Sequence, residues 1–361
     1  MNYLSVETSL QEAFKHAMPL SPAQTGRIAK VCNAIMLAGE VSLTKIARFL
    51  KGETQQDSRV RSIKRLLEAN FMTQERVYQP LLKQALLSFH ASCWHVVLDR
   101  TALWEGVDLA TISLNYHKRA IPLVWCCVPY GGATEATYIH LLRRCVPLVP
   151  PNVQVIFQGD TEFGHSGMIR TLREIGWDFI LAQPSHCVFR PAVDAKGVPL
   201  ASLPVTPAHP CQVEQVELFA QQRLASINIL AFYQPLHSQL HRDRGDICYL
   251  ATSLPLSSSL RRLGRRRWGT EPFYRDYKSA GWGVTASQLE TPERQEGLLI
   301  LLALNYLWTV CIGRWLCKIG QRCQVDSQPI RHLSLFRIGW DWLIHQLRCD
   351  LPAPPFLRLY T

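Results

Sequence analysis

Between residues 94 and 183 the chain consists largely of short apolar runs with the length and composition of β-strands. Three of these runs follow one another closely, and each of the last two follows a stretch with helical spacing of its apolar residues. The five runs are WHVVLD, DLATISLNYH, AIPLVWCCV, VQVIFQ and DFILAQ, and the helical stretches are ATEATYIHLLRRC and SGMIRTLREIG. Adjacent strands followed by alternating helix and strand predict an α/β sheet that begins antiparallel and continues by helical crossovers.

Two aspartates stand at strand ends in this predicted mixed sheet, which has the element order of an RNase H-like fold. Asp99 ends the first run, and Asp160 follows the fourth run after one glycine. Ligands bind at the carboxyl ends of strands in open α/β sheets, because side chains there are held rigidly yet face a crevice. Either aspartate alone is also compatible with an ordinary turn or helix cap. The pair favours a metal-binding edge.

A third acid, Glu271, lies in the segment RRRWGTEPFYRDYKSAGW. Arg275 follows it by one helical turn and Lys278 by two turns, so on a helix the three share a face. Proline is tolerated only in the first turn of a helix, so Pro272 predicts that this helix begins at Glu271 or within the three preceding residues, with Arg267 before it. An exposed helix with ion pairs is the alternative interpretation.

Residues 1–90 show helical spacing and are predicted to form a helical DNA-binding domain. The chain has 39 Lys and Arg against 28 Asp and Glu, a net charge of +11 that favours a polyanionic partner such as nucleic acid. Four basic residues fall on or near one face of the helix SRVRSIKRLLEA: Arg59, Arg61, Lys64 and Arg65. Because this helix follows a short one after Gly39, we expect a DNA reader of the helix-turn-helix type. A helical bundle with a solvated basic face explains the same pattern.

The remainder of the chain divides into four predicted segments. Residues 91–184 are expected to form the first part of the RNase H-like core. Prolines surround strand-like pieces in residues 185–255, which predicts a β-rich insertion. The core is expected to resume in residues 256–320 with the helix that contains Glu271, and residues 321–361 are expected to form a C-terminal helical segment.

Three further features limit the class of protein. The apolar stretch from Leu298 to Cys317 is long enough for a membrane span, but Asn305 and Arg314 interrupt it, so we predict a buried helix and no membrane partner. The N-terminus has no apolar core of signal-peptide length, which favours the cytoplasm. The twelve cysteines are scattered without metal-ligand spacing and are expected to be reduced thiols.

Three motifs together resemble those of the insertion-sequence transposases of the YREK-signature branch, which are DDE enzymes with an RNase H-like catalytic domain. The motifs are LDRT at Asp99, QGDTEFG at Asp160 and RWGTEPFYRDYKSAGW at Glu271. The runs AIPLVWCCV, LREIGWDFILAQ and TPERQEGLLILLALNYLW extend the resemblance, which covers roughly residues 90–315. The resemblance implies that Asp99, Asp160 and Glu271 are the catalytic and metal-binding residues. It also implies two Mg²⁺ ions per active site, with Mn²⁺ as a substitute.

The signature also implies contacts to DNA phosphates. It has an arginine four residues before the glutamate and a lysine seven residues after it, which here are Arg267 and Lys278. Arg275, on the same helical face, is expected to act with them. The tyrosine of the signature is replaced by Gly264, and the neighbouring Arg262, Arg265 and Arg266 are candidates for a substitute phosphate contact.

The function that the resemblance implies is cut-and-paste transposition by a homodimer on double-stranded DNA. Water cuts at the terminal inverted repeats of the element, the freed 3′-hydroxyl forms a hairpin, and the reopened end joins target DNA. In this branch a base is flipped onto an aromatic of the insertion, for which the candidates are Phe219, Phe232, Tyr233 and Tyr249. In a bacterial cell such an enzyme associates with the nucleoid. Alternatives are an RNase H-like nuclease that cuts without joining and a DNA-binding protein derived from a transposase.

Overall fold

A computed structural model describes residues 4–192, 194–235, 245–278, 281–353 and 358–359 of the chain. The helices are α1 Val6–Ala17, α2 Pro22–Ala38, α3 Leu43–Arg48, α4 Gln56–Leu67, α5 Gln79–Leu86, α6 Glu135–Cys145, α7 Ser166–Glu174, α8 Leu260–Gly264, α9 Thr270–Tyr277, α10 Pro292–Lys318 and α11 Leu335–Arg348. The strands are β1 Leu4–Ser5, β2 Cys93–Trp104, β3 Val107–Tyr116, β4 Arg119–Pro129, β5 Gln154–Gly159, β6 Asp178–Gln183, β7 Val188–Arg190, β8 Val198–Pro199, β9 Cys211–Leu218, β10 Leu224–Pro235, β11 Gly245–Thr252 and β12 Pro352–Ala353.

These elements form two compact units. The first unit consists of residues 1–91, 102–107 and 273–361, and the second consists of residues 92–101 and 108–272. In the first unit α10 packs against α2 and α4 as well as against α11. The helices predicted as an N-terminal domain therefore share a core with helices from the end of the chain.

The second unit is built on a ten-stranded mixed sheet with the order β4-β3-β2-β5-β6-β11-β10-β9-β7-β8. Strands β2, β5 and β6 are parallel neighbours. Strands β2, β3 and β4 are joined by two-residue connections, which link only antiparallel strands. The α/β sheet with three antiparallel strands followed by crossovers confirms the predicted RNase H-like element order.

The strands of the predicted insertion extend this sheet. Strand β11 pairs antiparallel with β6, from Tyr249 opposite Gln183 to Thr252 opposite Ile180. Apolar side chains from β5, β6, β10, β11 and α8 pack in one cluster, which includes Ile156, Ile180, Leu230, Leu250 and Leu260. The strands on both sides of β6 are therefore stabilised by one apolar core.

The apolar stretch near residue 300 forms α10, which is long and apolar enough to cross a membrane but is buried over most of its length within the first unit. Helices of this kind are all-round hydrophobic because protein surrounds them. Asn305, which interrupts the apolar run, is buried and donates to the carbonyl of Cys32 in α2. The structure agrees with the buried helix that the sequence predicts.

Two glycines allow α10 and α11 to cross at backbone contact. A Cβ added at Gly313 would lie 1.9 Å from the carbonyl oxygen of Leu335, and one added at Gly339 would lie 1.8 Å from that of Thr309. No real side chain fits at such distances, because the obstacle in both cases is backbone. The crossing brings Phe336 and Trp340 of α11 against Trp282, which is fully buried.

We expect Gly339→Ala to destabilise the first unit by about 1–3 kcal/mol, the usual cost of overpacking a core. The two helices must separate to admit the methyl group, which loosens the aromatic contacts around Trp282. Gly26→Ala in α2 is the matched control, because its Cβ meets only the flexible side chain of Gln11, at 3.3 Å. Urea unfolding measures both variants. Equal free energies of unfolding would contradict the close crossing.

Candidate active site

Asp99 and Asp160 lie at neighbouring positions on adjacent parallel strands. The pairing of β2 with β5 ends with Leu98 opposite Gly159, so the next residue on each strand is one of the two aspartates. Asp160 directly follows β5, as predicted. The prediction that Asp99 ends its strand is wrong, because β2 continues to Trp104 and turns into β3. Asp99 is instead the first residue of β2 after its parallel pairing with β5 ends.

The carboxylate of Asp99 is held at both oxygens. Its Oδ1 accepts a hydrogen bond from the backbone N–H of Arg100 (2.8 Å), and its Oδ2 accepts one from the hydroxyl of Thr270. Burial raises the pKa of Asp99 and the charge of Asp160 adds to this, while the two hydrogen bonds and the charge of Arg267 act in the opposite direction. Burial therefore disfavours the ionised form of Asp99 more than the two hydrogen bonds and Arg267 favour it.

Asp160 is half-buried, and its carboxylate accepts two hydrogen bonds. Its Oδ1 accepts from the backbone N–H of Thr161 and so caps the short 3₁₀ helix Thr161–Phe163. Its Oδ2 accepts from Nη1 of Arg267 at 3.1 Å. Arg267 lies in the 3₁₀ helix Arg265–Gly269, directly before α9, which agrees with its predicted place ahead of the helix. Asp160 therefore both caps a short helix and lies at the edge of the sheet.

Glu271 is exposed in the first turn of α9. The helix begins at Thr270 with Pro272 in its first turn, as predicted. Among the described residues, no group of three His, Cys, Asp or Glu side chains is close enough to hold a metal ion. The structure thus brings Asp99, Asp160 and Arg267 together but does not add Glu271 to a three-ligand cluster. Exposed Arg275 and half-buried Lys278 follow in the first unit.

An ion-pair network next to the two aspartates escaped the sequence analysis. Arg100 pairs with Asp108 of β3, which is 1% exposed, and its Nε lies 2.8 Å from Oε1 of Glu162. The hydroxyl of Tyr138 in α6 donates to the same carboxylate. The network thus joins Arg100, which follows Asp99, to Glu162, which lies two positions after Asp160. The signal in the sequence was an acid, Asp108, near the start of a strand with no other charged residue.

The donors at this edge fit a divalent cation. Carboxylate oxygens are the ligands that Mg²⁺ and Mn²⁺ prefer. Arg100 pairs with Asp108 and Glu162, and Arg267 pairs with Asp160. Asp99 accepts from two neutral donors, and burial raises its pKa, so a bound cation would stabilise its ionised form.

Gly264, at the tyrosine position of the signature, faces the apolar core of the second unit. A Cβ at this position would lie 3.1 Å from Cδ1 of Leu250 and 3.7 Å from Cγ2 of Ile180. A tyrosine there therefore requires Leu250 to move. The neighbouring arginines are exposed and stay candidates for a phosphate contact: Arg262, Arg265 and Arg266.

The four basic residues of α4 differ in their surroundings. Arg61 and Arg65 are exposed and lie one helical turn apart. Arg59 instead donates to the carbonyl oxygens of Ala47 and Gly52, which fixes the loop before α4, and Lys64 is half-buried. Seven residues connect α3 to α4, which is longer than the three or four of a typical helix-turn-helix. The DNA contacts of this helix stay a prediction.

The aromatic candidates for a flipped base separate into two groups. Phe232 and Tyr249 are buried, at 4% and 5% exposure, and the guanidinium of Arg261 covers the ring of Phe232 at 4.8 Å. Phe219 and Tyr233 are half-buried. Of these four residues, the second group is the more accessible for stacking.

Comparison with known proteins identifies the family. The sequence matches the family described as Transposase DDE domain over residues 127–308, about half of the chain, a range that includes Asp160 and Glu271 and begins after Asp99. No curated protein matches the sequence. The cryo-EM structure of the piggyBac transposase synaptic complex with hairpin DNA aligns at 12% identity and a TM-score of 0.44, covering 97% of this chain and 79% of that one. The chain belongs to the DDE-domain transposase family.

Proposed function

We propose that this chain is a cut-and-paste DNA transposase of the YREK-signature branch, which cleaves at the terminal inverted repeats of its element and joins the ends to target DNA. The main support is the juxtaposition of Asp99 and Asp160 at the end of two parallel strands. The arginine at the signature position, Arg267, forms an ion pair with the second of them. The proposed site of action is the nucleoid in the bacterial cytoplasm.

Asp99, Asp160 and Glu271 are the residues proposed to hold divalent cations, two Mg²⁺ or Mn²⁺ ions per site. When bound, such ions activate an attacking oxygen and stabilise a leaving one. Glu271 directly follows Thr270, whose hydroxyl donates to Asp99, and its exposed side chain is proposed to complete the set.

The basic residues are proposed to bind the DNA backbone. Arg267 neutralises Asp160 in the free protein and is placed to exchange this partner for a phosphate, because guanidinium groups bind carboxylates and phosphates with the same geometry. Arg275 and Lys278 are proposed phosphate contacts from α9 and its end. A homodimer on paired ends and a hairpin intermediate complete the proposal.

A strand-transfer assay tests the function. The full chain is incubated with a labelled duplex that contains its own terminal repeat and with a circular target, in Mg²⁺ or in a chelator. Nicked, hairpinned and joined products that require the metal support the proposal. Cleavage without joining would instead identify a nuclease, and binding without cleavage would identify a DNA-binding derivative. Short inverted repeats that closely flank the reading frame support a mobile element.

We expect the double variant Arg61→Ala/Arg65→Ala to weaken DNA binding and to flatten its salt dependence. Two lost phosphate contacts make the slope of log K against log salt shallower by about 2. Fluorescence anisotropy with a short duplex over a range of KCl concentrations measures this slope. Arg337→Ala is the control, because that exposed arginine is already paired with Asp341 at 2.8 Å. An unchanged slope in the double variant would exclude α4 as a DNA contact.

A further inference from the structure

Thr270 connects the first aspartate to the start of the helix that contains the glutamate. It is the first residue of α9, directly before Glu271, and is 2% exposed. Its Oγ1 is within hydrogen-bonding distance of two acceptors, Oδ2 of Asp99 and the carbonyl oxygen of Arg267, the second at 3.0 Å. A buried hydroxyl with acceptors in reach is held in this orientation, because a buried hydroxyl without an acceptor is costly.

A threonine hydroxyl has one proton and donates to one acceptor at a time. The bond to an ionised carboxylate is charge-assisted and is the stronger of the two, so the proton points to Asp99 in the free protein. Since the other oxygen of Asp99 accepts from the backbone of Arg100, one oxygen is fixed by β2 and the other by α9. The orientation of the carboxylate therefore depends on both elements.

The segment that leads to Thr270 is itself fixed against β3. The side-chain amide of Asn115 donates to the carbonyl oxygen of Arg266. A Cβ at Gly269 would lie 2.8 Å from Nδ2 of the same asparagine, so the backbone passes directly over it. Thr270 is thus presented to Asp99 from a segment that is anchored independently of the hydroxyl.

We propose that Thr270 is a positioning residue that locks the carboxylate of Asp99 to the start of α9 and so holds this carboxylate in the orientation in which it binds a divalent cation. The second acceptor within reach of the hydroxyl, the carbonyl oxygen of Arg267, lies in the segment directly before α9. This inference rests on the proposed function, since it takes Asp99 as a cation ligand.

Two substitutions isolate the hydroxyl. Thr270→Val keeps the branched shape and removes the donor, whereas Thr270→Ser keeps the donor and removes a methyl group. We expect Thr270→Val to weaken Mg²⁺ and Mn²⁺ binding by about 10–100-fold, the usual effect of losing a residue that orients a metal ligand. Thr270→Ser is expected to bind these ions nearly as well as the parent protein. Isothermal titration calorimetry of the full chain without DNA measures the affinity directly, and the Mg²⁺ concentration at half-maximal cleavage gives a second value.

Thr252→Val is the matched control for the loss of a buried threonine hydroxyl. Thr252 lies in β11 of the same unit, is fully buried and donates to the carbonyl of Phe179 at 2.6 Å. Its replacement is expected to lower stability and to leave the metal affinity unchanged. Equal metal affinity of Thr270→Val and the parent would overturn the inference while leaving the proposed function intact, and so would a Thr270→Ser variant as weak as Thr270→Val. A parent protein that neither binds these ions nor cuts or joins end DNA would overturn both.

Discussion

Asp160→Asn is expected to abolish both DNA cleavage and strand transfer, and Asp99→Asn and Glu271→Gln are expected to do the same. Each amide keeps the size of the side chain but removes its negative charge and one strong oxygen ligand. The loss should exceed the 10–100-fold that changes outside the ligand set typically cause, and we expect about 10³-fold or more. The measurement is the rate of nicked and joined products from end DNA at saturating Mg²⁺.

DNA binding and folding must be retained for this result to be informative. Asp178→Asn is the matched control, because Asp178 lies at the opposite, amino-terminal end of β6, where it accepts from Gln154 and Ser253. It should cleave and join at the parental rate. Glu271 is the most exposed of the three acids and is absent from a three-ligand cluster, so its variant is the most decisive. A Glu271→Gln protein with parental activity would remove Glu271 from the proposed site.

Arg100→Met is expected to lower the free energy of unfolding by about 3–5 kcal/mol, the cost of leaving a buried carboxylate without its cation. The cause is Asp108, which is 1% exposed and pairs with the Arg100 guanidinium, whereas the partly exposed Glu162 contributes less because water screens it. Methionine retains the length of the side chain, so the effect reports the lost charge. Urea unfolding measures it.

Arg143→Met controls for the removal of an arginine from the same unit. Its partner Glu174 is 4.0 Å away and both side chains are about two-thirds exposed, so we expect a change below about 1 kcal/mol. The double variant Arg100→Met/Asp108→Asn should recover part of the lost stability, because it no longer buries an unpaired charge. Equal effects of Arg100→Met and Arg143→Met would show that Asp108 does not depend on the guanidinium.

The central strands could be predicted because their sequence is nearly continuous in apolar residues, as expected for strands covered on both faces. The run DFILAQ coincides with β6, and Asp160 follows β5 as expected. The end of β2 was misplaced because the polar residues after Asp99 look like a turn. In the structure they continue the strand into a hairpin with β3. Local composition does not distinguish a strand that ends from one that loses its parallel partner.

The parts that could not be predicted depend on contacts between distant residues. Thr270 and Asp99 are 171 positions apart, and nothing near either one indicates their hydrogen bond. The ion pair between Arg100 and Glu162 joins β2 to the 3₁₀ helix after β5, and their proximity follows from the register of β2 and β5. The assembly of residues 1–91 with the C-terminal helices depends in the same way on close helix packing, which apolar spacing alone does not specify.

The packing of Gly264 limits which side chains this position accepts. Leu250 occupies the space that a Cβ would enter, with its Cδ1 3.1 Å from that Cβ. A larger residue there requires Leu250 to shift, so it should be tolerated better together with a smaller residue at position 250 than alone. Positions 250 and 264 are therefore coupled, and the effect of a substitution at either one depends on the residue at the other.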